Sequence, residues 1–437
     1  MHLLNAGLVR SSGCLLTLLL ASVAMAAPRG KTERVSLDSH GEECANGGSD
    51  DSTISATGRF VAFDSRAEDL VPGDTNGKFD IFARDRRTGK TRRVSVSSSG
   101  AESIGGDSYF PSISGNGRFI AFESSATNLV EGDTNDATDV FVHDLKTGKT
   151  TRVSVSSEGA QGNQTSDHAA ISANGRYVAF ESLATNLVEG DTNLRTDILV
   201  HDRKTKRTVR VSVDSNGVQA NGACLQPSIS AKGRSVAFYS EATNLVEGDT
   251  NDCTDVFVHD LKSGVTTRLS VTTSGEQVTH GESTYPSISA NGRFVAFSSS
   301  ATDLVPDDTN GERDVFVVDR KTGAVTRESV DSNGAQATTG GSDEPALSRT
   351  GRFLAFRSHA SNLVANDTNA IADTFLRDRK TGKTTRVSVG SHGAQATQDS
   401  YYVAISGNGK CVIFTSSAEN LVADDTNQES DTFVRVR

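Results

Sequence analysis

The stretch Asn128–Asp144, NLVEGDTNDATDVFVHD, decides the fold, because close copies of it recur along the chain. Each copy contains the triplet Asp-Thr-Asn, and successive triplets are 58 or 59 residues apart. Self-similarity at a fixed period indicates one supersecondary unit repeated in tandem. The seven triplets begin at Asp74, Asp133, Asp191, Asp249, Asp308, Asp367 and Asp425.

Within the repeat that contains this stretch, short apolar runs alternate with turns. Pro111–Ser114 is apolar at alternate positions and is followed by Asn116-Gly117, a pair typical of a tight β-hairpin. Residues 119–122, FIAF, are continuously apolar, which predicts a strand buried on both faces. Residues 139–142 and 151–155 predict a third and a fourth strand. Four antiparallel strands in seven copies, without helical periodicity, predict an all-β fold, a seven-bladed β-propeller. A β-solenoid is the alternative, but its repeats are shorter and its strands are parallel.

The two ends of the chain complement each other. The last copy ends in a predicted third strand, Asp431–Arg435, and has no fourth. Residues 32–37, TERVSL, match the fourth-strand sequence TTRVSV. We therefore expect the N-terminal strand to complete the last blade, which closes the ring and removes exposed sheet edges.

The repeat resembles those of a known family. PSISGNGRFIAFES at 111–124 and DVFVHDLKTG at 139–148 are similar to the repeats of TolB-like propellers, which are relatives of WD-type propellers. The resemblance covers about all of the chain after residue 26 and implies the propeller fold. It implies little about function, because related propellers serve as scaffolds, periplasmic binding proteins, lyases and peptidase gatekeepers. In the third blade Thr205-Lys206 replaces Thr-Gly. Asn also replaces the Asp of many relatives at Asn116, Asn174, Asn291 and Asn408.

The first 26 residues are predicted to be a cleaved signal peptide. Arg10 precedes the apolar run Cys14–Val23, and Ala24-Met25-Ala26 provides a small-residue cleavage motif. The run is shorter than the about 20 residues that a membrane span needs. We therefore expect one propeller domain over residues 27–437. The protein should be exported to the periplasm or the medium as a monomer without a membrane span.

The net charge indicates which classes of partner the protein is expected to bind. The chain carries −11, and loss of residues 1–26 would remove only Arg10, giving −12. A strongly acidic surface repels phosphate backbones, so nucleic acid is not an expected partner. Cations, basic proteins and neutral sugars fit this charge better.

The Asp-Thr-Asn loops, called DTN loops below, are candidate calcium sites. Asp133, Asn135 and Asp139 offer three oxygen-bearing side chains, the ligands that Ca²⁺ prefers. The fifth position, where a calcium loop has another ligand, is Ala137. We therefore expect Asp and Asn to cap the turn through the backbone, with no cofactor required and calcium binding as the alternative. The candidate ligands are Asp74, Asn76, Asp80, Asp133, Asn135, Asp139, Asp191, Asn193, Asp197, Asp249, Asn251, Asp255, Asp308, Asn310, Asp314, Asp367, Asn369, Asp373, Asp425, Asn427 and Asp431.

Three histidines occupy one repeat position in successive blades: His143, His201 and His259. Equivalent third-strand positions of adjacent blades should lie roughly 12–14 Å apart. That is too far to share one ion bound at about 2.1 Å. We expect an outer surface position without metal.

Arg118 opens the second strand and Asp144 closes the third, which predicts an ion pair at the blade edge with a structural role. Equivalent pairs are predicted for Arg59/Asp85, Arg176/Asp202, Arg234/Asp260, Arg293/Asp319 and Arg352/Asp378.

Export favours disulfides. Cys224 and Cys253 are predicted on two loops of the fourth blade that emerge on one face, which predicts a Cys224–Cys253 disulfide. Cys411 takes the place of Phe119 in its blade and should lie in the core, and Cys44 has no obvious partner.

No nucleophile or metalloprotease motif such as GxSxG or HExxH is present. We therefore favour a noncatalytic scaffold that binds a protein or a glycan with the face carrying the DTN loops. The alternatives are a polysaccharide lyase or hydrolase with its site at the channel mouth, and a calcium-binding repeat protein. Channel-facing His, Arg or Asp that break the seven-fold pattern would favour the enzyme, because catalysis needs asymmetry.

Overall fold

A computed structural model describes residues 30–437. These residues form 28 β-strands and contain no helix. Seven four-stranded antiparallel sheets, the blades, are arranged as a β-propeller, as the repeats predict. The predicted signal peptide, residues 1–26, lies outside the described residues.

The N-terminal strand is β1 (Thr32–Arg34). The first strands of the blades are β2 (Ser49–Ile54), β6 (Ser108–Ile113), β10 (Ser166–Ile171), β14 (Cys224–Ile229), β18 (Ser283–Ile288), β22 (Ser342–Leu347) and β26 (Ser400–Ile405). The second strands are β3 (Phe60–Ser65), β7 (Phe119–Ser124), β11 (Tyr177–Ser182), β15 (Ser235–Ser240), β19 (Phe294–Ser299), β23 (Phe353–Ser358) and β27 (Cys411–Ser416). The third strands are β4 (Asp80–Asp85), β8 (Asp139–Asp144), β12 (Asp197–Asp202), β16 (Asp255–Asp260), β20 (Asp314–Asp319), β24 (Asp373–Asp378) and β28 (Asp431–Val436). The fourth strands are β5 (Lys90–Arg93), β9 (Lys149–Arg152), β13 (Arg207–Arg210), β17 (Val265–Arg268), β21 (Ala324–Arg327) and β25 (Lys383–Arg386).

The N-terminal strand closes the ring, as predicted. The seventh sheet has the order β1-β28-β27-β26, and β1 pairs antiparallel with β28. Thr32 lies opposite Arg435, and the Val35 amide continues the ladder by donating to the Thr432 carbonyl at 2.8 Å. The last blade is thus built from both ends of the chain.

The hydrophobic core lies between neighbouring blades. The predicted two-sided burial of the second strand is confirmed in β7, in which Ile120, Ala121 and Phe122 are fully buried. Phe122 stacks on Phe141 of the adjacent strand, with ring centroids 5.8 Å apart. Each cluster of buried side chains takes members from two blades. Burial on both faces of every sheet therefore holds the blades together.

Tight hairpins form the face opposite the DTN loops. In the Asn116-Gly117 hairpin, Gly117 has φ of 73°, which favours glycine. A Cβ on Gly117 would lie 2.2 Å from Cδ2 of Phe60 in the preceding blade. Glycine is therefore required for both the turn and the close approach of the blades.

The DTN loops and the loops between blades share the other face, as predicted, and this surface is called the loop face below. Asn128 donates from Nδ2 to the Glu102 carbonyl at 2.8 Å. Asn135 donates from Nδ2 to the Gly162 carbonyl at 2.9 Å. Each DTN loop is thus attached to the connection between its own blade and a neighbouring one.

The predicted Arg–Asp pairs are formed at the blade edges. Arg118 contacts Asp144 through two parallel hydrogen bonds, at 2.8 and 2.6 Å. These bonds from Arg118 hold the pKa of Asp144 well below its usual range. The equivalent pairs are Arg59–Asp85, Arg176–Asp202, Arg234–Asp260, Arg293–Asp319 and Arg352–Asp378.

The sequence predicts that the protein has no membrane span. Within residues 30–437, no helix is long and apolar enough to cross a membrane.

Candidate functional site

Each DTN loop is built around an arginine of the same sheet. In the second blade, Arg152 lies 3.0 Å from Oδ1 of Asp133 and 3.0 Å from Oδ2 of Asp139. Ser154 donates to the other oxygen of Asp139, and Asn135 caps the turn by accepting the Ala137 amide at 3.3 Å. Burial raises the pKa of both Asp133 and Asp139 above the ordinary value. The guanidinium therefore supplies the cation that two buried carboxylates require.

The same arrangement occurs in all seven described blades. The arginine between the two aspartates is Arg93, Arg152, Arg210, Arg268, Arg327, Arg386 or, in the blade closed by β1, Arg34. The amide cap predicted for the Asn of the triplet is present in six of these blades. In the sixth blade, Oδ1 of Asn369 is buried without a hydrogen-bond partner among the described residues. Calcium binding by these loops remains the untested alternative. A calcium ion bound there would have to share the two carboxylates with the guanidinium.

Thermal melts in calcium and in chelator would distinguish capped turns from calcium loops. We expect the melting temperature to be the same in both, apart from weak screening of surface charge. Calcium bound only by the folded state would instead add stability as RT ln(1 + [L]/Kd) at each of seven sites. A rise of more than about 10 °C in millimolar calcium, not reproduced by magnesium, would show that the loops are ligands.

The repeated histidines are buried, so the predicted outer surface position is wrong. His143 is 5% exposed, and its Nδ1 lies 2.9 Å from the Thr150 hydroxyl on the fourth strand. Thr150 in turn donates to the Val96 carbonyl of the preceding blade's connection. Burial lowers the pKa of His143 below its ordinary value. These histidines therefore join one blade to the next. The others of the set are His201 and His259.

The predicted Cys224–Cys253 disulfide is not formed in the structure. All four cysteines of residues 30–437 have free thiols. The Cys224 thiol is fully buried against the Ser240 hydroxyl at 3.2 Å, on the neighbouring strand. The Cys253 thiol contacts the Asn251 carbonyl of its own turn at 3.4 Å. The first-strand position turns Cys224 inward between blades, away from the loop that carries Cys253. Cys411 lies in the core as predicted.

The central channel carries the feature that breaks the seven-fold repeat. First strands of neighbouring blades lie side by side all around the ring, so they line the channel. Each first strand contains a register shift at its third residue. A shift of this kind is a β-bulge, which re-aims a side chain. The seven bulge residues, called the channel ring below, are Asp51, Phe110, His168, Gln226, Tyr285, Glu344 and Tyr402.

The channel ring differs from blade to blade, whereas the frame around it repeats. The first residue of the first strand is Ser in every blade except the fourth, where it is Cys224. Pro follows the bulge in four blades. Six of the bulge residues have positive φ, between 44° and 55°, although none is glycine. Conformational strain retained at one ring of varied side chains points to function at that ring.

Acidic side chains of the second strands hold several bulges in place. Glu123 accepts the backbone amide of His168 at 2.8 Å, and Glu181 accepts that of Gln226 at 2.6 Å. Burial raises the pKa of Glu123, and it raises the pKa of Glu181 to about 7. Each of these carboxylates belongs to the blade before the one whose bulge it holds. They are therefore part of the seam between blades as well as of the channel wall.

The channel ring lines a cavity of about 770 Å³. The bulge is the third residue of a strand that begins on the loop face, so the ring lies in the half of the channel nearer that face. Arg357 of the second strand of the sixth blade also lines the cavity. Volumes of this size are typical of small-ligand pockets.

Buried carboxylates dominate the wall of the first blade. Burial and neighbouring acids, chiefly Asp50 and Glu344, raise the pKa of Asp51. Asp64 is fully buried, and burial together with Asp51 raises its pKa well above the ordinary value. Its Oδ1 atom has no hydrogen-bond partner within the described part of the chain. Buried carboxylates without a partner lower the stability of the fold. Groups of this kind cluster at functional sites, so they mark this wall as a candidate site.

The third blade contributes a mixed cluster. His168 Nδ1 lies 3.6 Å from Oδ1 of Asp167 and 3.8 Å from Oε1 of Glu181. The His168 ring stacks on Phe110, with centroids 4.5 Å apart. Burial lowers the pKa of His168, but Asp167, Glu181 and Glu123 outweigh it and raise the pKa to about 9.

Sequence reasoning proposed no residue of the channel ring as a site residue. A signal was nevertheless present, since each ring residue is the variable position before the P-S-I-S motif or one of its variants, STIS, AAIS, PALS and VAIS. Their convergence on one cavity depends on the bulge, which the strand pattern did not indicate. His168, Arg357 and Asp51 all line the channel and break the seven-fold pattern, which is the asymmetry expected to favour an enzyme.

Comparisons with known proteins support the fold but do not identify an activity. The chain matches no protein-family model and no curated protein sequence. It is similar to the structure of an oligogalacturonate lyase in complex with manganese, with 12% identity and a TM-score of 0.53 over 88% of this chain and 87% of that one. It is also similar to the oligogalacturonate lyase of Vibrio parahaemolyticus, with 11% identity and a TM-score of 0.55 over 92% of each chain.

A TolB structure is also similar. TolB from Acinetobacter baumannii matches with 15% identity and a TM-score of 0.39, over 70% of this chain and 59% of that one. Similarities at these identities concern the fold alone. The chain is a seven-bladed β-propeller with enzymes among its structural neighbours, and membership of a TolB-like repeat family is not shown.

Proposed function

We propose that the protein is an exported, noncatalytic binding protein that holds a glycan in the channel mouth on the loop face. The observation that carries the proposal is the channel ring, in which six residue types occupy the seven equivalent positions of a repeated frame. A site for one specific ligand needs such asymmetry, whereas the repeated DTN loops offer the same surface seven times. Export to the periplasm or medium rests on the signal-like sequence of residues 1–26.

The side chains of the ring suit a sugar. Phe110, Tyr285 and Tyr402 provide flat apolar faces on which the C–H face of a sugar ring can pack. Gln226 and Glu344 provide hydrogen-bonding groups that hydroxyls can satisfy. The cavity of about 770 Å³ has room for the end of an oligosaccharide but not for a folded domain. A protein partner would have to contact the rim of the loop face instead.

The charge of the channel constrains which sugar fits. Asp51 and Glu344 face the cavity with Arg357 and His168, but further carboxylates, including Asp64, lie behind them. The excess of carboxylates disfavours a polyanion such as the oligogalacturonate named for the structural neighbours. A neutral glycan or an amino sugar is the better ligand.

An enzyme acting in the same cavity is the second candidate. Arg357, Tyr285 and Glu344 meet at one side of the cavity, and burial raises the pKa of Glu344. A carboxylic acid with a raised pKa beside a cation is a combination used in acid–base catalysis. A polysaccharide lyase or hydrolase could therefore use this wall.

Binding measurements on channel variants would test the proposal. We would identify a ligand on an array of neutral and amino-sugar glycans, and then measure its affinity by calorimetry for Tyr402→Gln and Asp51→Gln. Gln stands at the equivalent position 226 with φ of 50°, close to the φ of 55° at Tyr402, so Gln suits that bulge. Asp51 has no positive φ to maintain, and Gln replaces its carboxylate with an uncharged amide. We expect each to weaken binding at least about tenfold, since Tyr402→Gln removes an aromatic face and Asp51→Gln removes a hydrogen-bonding carboxylate.

The control is Leu194→Ala, because Leu194 is 75% exposed on a DTN loop and does not line the cavity. We expect this variant to bind like the parent. Binding that survives both channel substitutions but is lost in DTN-loop variants would place the site on the DTN loops, outside the channel, and contradict the proposal. Product formation from the bound glycan would favour the enzyme.

A further inference from the structure

Three ligand atoms of the third blade meet beside the cavity: one oxygen of Asp167, Nδ1 of His168 and one oxygen of Glu181. All three lie within 4.8 Å of one another, and no other group of three His, Cys, Asp or Glu side chains in residues 30–437 is so close. We propose that these residues bind a divalent transition-metal ion such as Zn²⁺ or Mn²⁺ on the channel wall.

The distances from His168 to the two carboxylates fit a shared ion. Nδ1 of His168 is 3.6 Å from the Asp167 oxygen and 3.8 Å from the Glu181 oxygen, both too long for a hydrogen bond. Two ligands bound to one metal at about 2.1 Å and separated in this way subtend about 120° to 130° at the ion. That angle is compatible with a tetrahedral or five-coordinate centre.

A second observation comes from atoms that lack partners. Nδ1 of His168 is buried and makes no hydrogen bond to any described residue. Oε1 of Gln226, the next residue of the channel ring, is also buried without a partner there. Glu181 connects the two, because it faces Nδ1 of His168 and accepts the Gln226 amide. A buried nitrogen facing two carboxylates is the arrangement a metal would complete.

The chemistry of the donors favours a transition metal over calcium or magnesium. An imidazole nitrogen with two carboxylates is a set that Zn²⁺ and Mn²⁺ accept, whereas Ca²⁺ and Mg²⁺ prefer oxygen alone. Three protein ligands leave at least one coordination position open. Since His168 lines the cavity, that position would face a bound ligand or water.

The repeat shows that this set is particular to the third blade. The positions of Asp167, His168 and Glu181 are Tyr109, Phe110 and Glu123 in the second blade. In the fourth blade they are Leu225, Gln226 and Tyr239. The blade fold therefore does not require these three residues. Stacking on Phe110 and the bond from the His168 amide to Glu123 fix the imidazole without using Nδ1.

Calorimetry on chelator-treated protein would test the site, with ZnCl₂, MnCl₂, CaCl₂ and MgCl₂ as probes and no glycan present. We expect one Zn²⁺ or Mn²⁺ ion per chain, with a dissociation constant in the micromolar range or below. His168→Phe and Glu181→Ser should each weaken binding by more than about 100-fold. Both substitutions copy residues that other blades carry at these positions, Phe110 and Ser298, so the fold should be retained.

His280→Ala is the control, because His280 is exposed on the loop face and is not part of the cluster. We expect its metal affinity to equal that of the parent, and melting curves should show that all variants are folded. The proposal is overturned if no transition metal binds tighter than millimolar. It is also overturned if folded His168→Phe binds as the parent does, since the three groups would then be only an internal ion cluster. Either outcome leaves the glycan proposal to its own test.

Discussion

Deletion of residues 27–38 is expected to lower the melting temperature by about 10 °C or more, the largest change that we predict. The deletion removes β1, which pairs with β28, and leaves a three-stranded seventh blade with an unpaired edge. It also removes Arg34, whose guanidinium lies 3.1 Å from Asp425 and 3.0 Å from Asp431. Both carboxylates would then be buried without their cation. Differential scanning calorimetry would measure the effect.

A peptide of residues 30–38 added to the truncated protein provides the control. It should restore part of the lost stability, because it can pair with β28 and supply Arg34 in trans. An unchanged melting curve for the deletion would contradict the role of ring closure in stability. A drop that the peptide does not reverse would indicate that the truncated chain is misfolded.

Arg152→Gln is expected to lower the free energy of unfolding by about 3–5 kcal/mol, the second large effect. Arg152 lies between Asp133 and Asp139 at 3.0 Å from each, and the Asp139 side chain is fully buried. Gln keeps part of the bulk of Arg152 but no charge, so two carboxylates would share one buried site without compensation. Chemical denaturation of the parent and the variant would measure the difference.

Arg118→Gln is the matched control, because it changes an arginine of the same blade that also pairs with an aspartate. The Arg118 side chain is 39% exposed, and water can replace it beside Asp144. We expect only a small shift of the denaturation midpoint. Equal losses in the two variants would contradict the view that the DTN-loop arginine is an essential buried cation.

The fold was predictable because its causes are local and repeated. The apolar run of 119–122 predicted a two-sided buried strand, and the Asn116-Gly117 pair predicted the hairpin behind it. The match of residues 32–37 to a fourth strand predicted the closure that β1 makes. Alternation, turn residues and period act within a few residues of the chain, so they can be read from sequence.

The errors concern side chains whose surroundings come from another strand or blade. His143 was expected at the outer surface, but the connection from the preceding blade covers it. The Cys224–Cys253 bridge was expected from loops of one face, yet the strand directs Cys224 into the core against Ser240. In both cases the loop or strand was predicted, and the direction of the side chain was not.

The sequence alone determined the number of blades, the strand order, the blade-edge ion pairs and the face on which the DTN loops lie. Only the tertiary structure decided that the cation between the two carboxylates of each DTN loop is an arginine such as Arg152. It also decided that Asp51, His168 and Tyr402 meet around one cavity. The physical reason is sequence distance. Backbone patterns are set by neighbours along the chain, whereas the channel is formed by seven bulges about 58 residues apart, which only closure of the ring brings together.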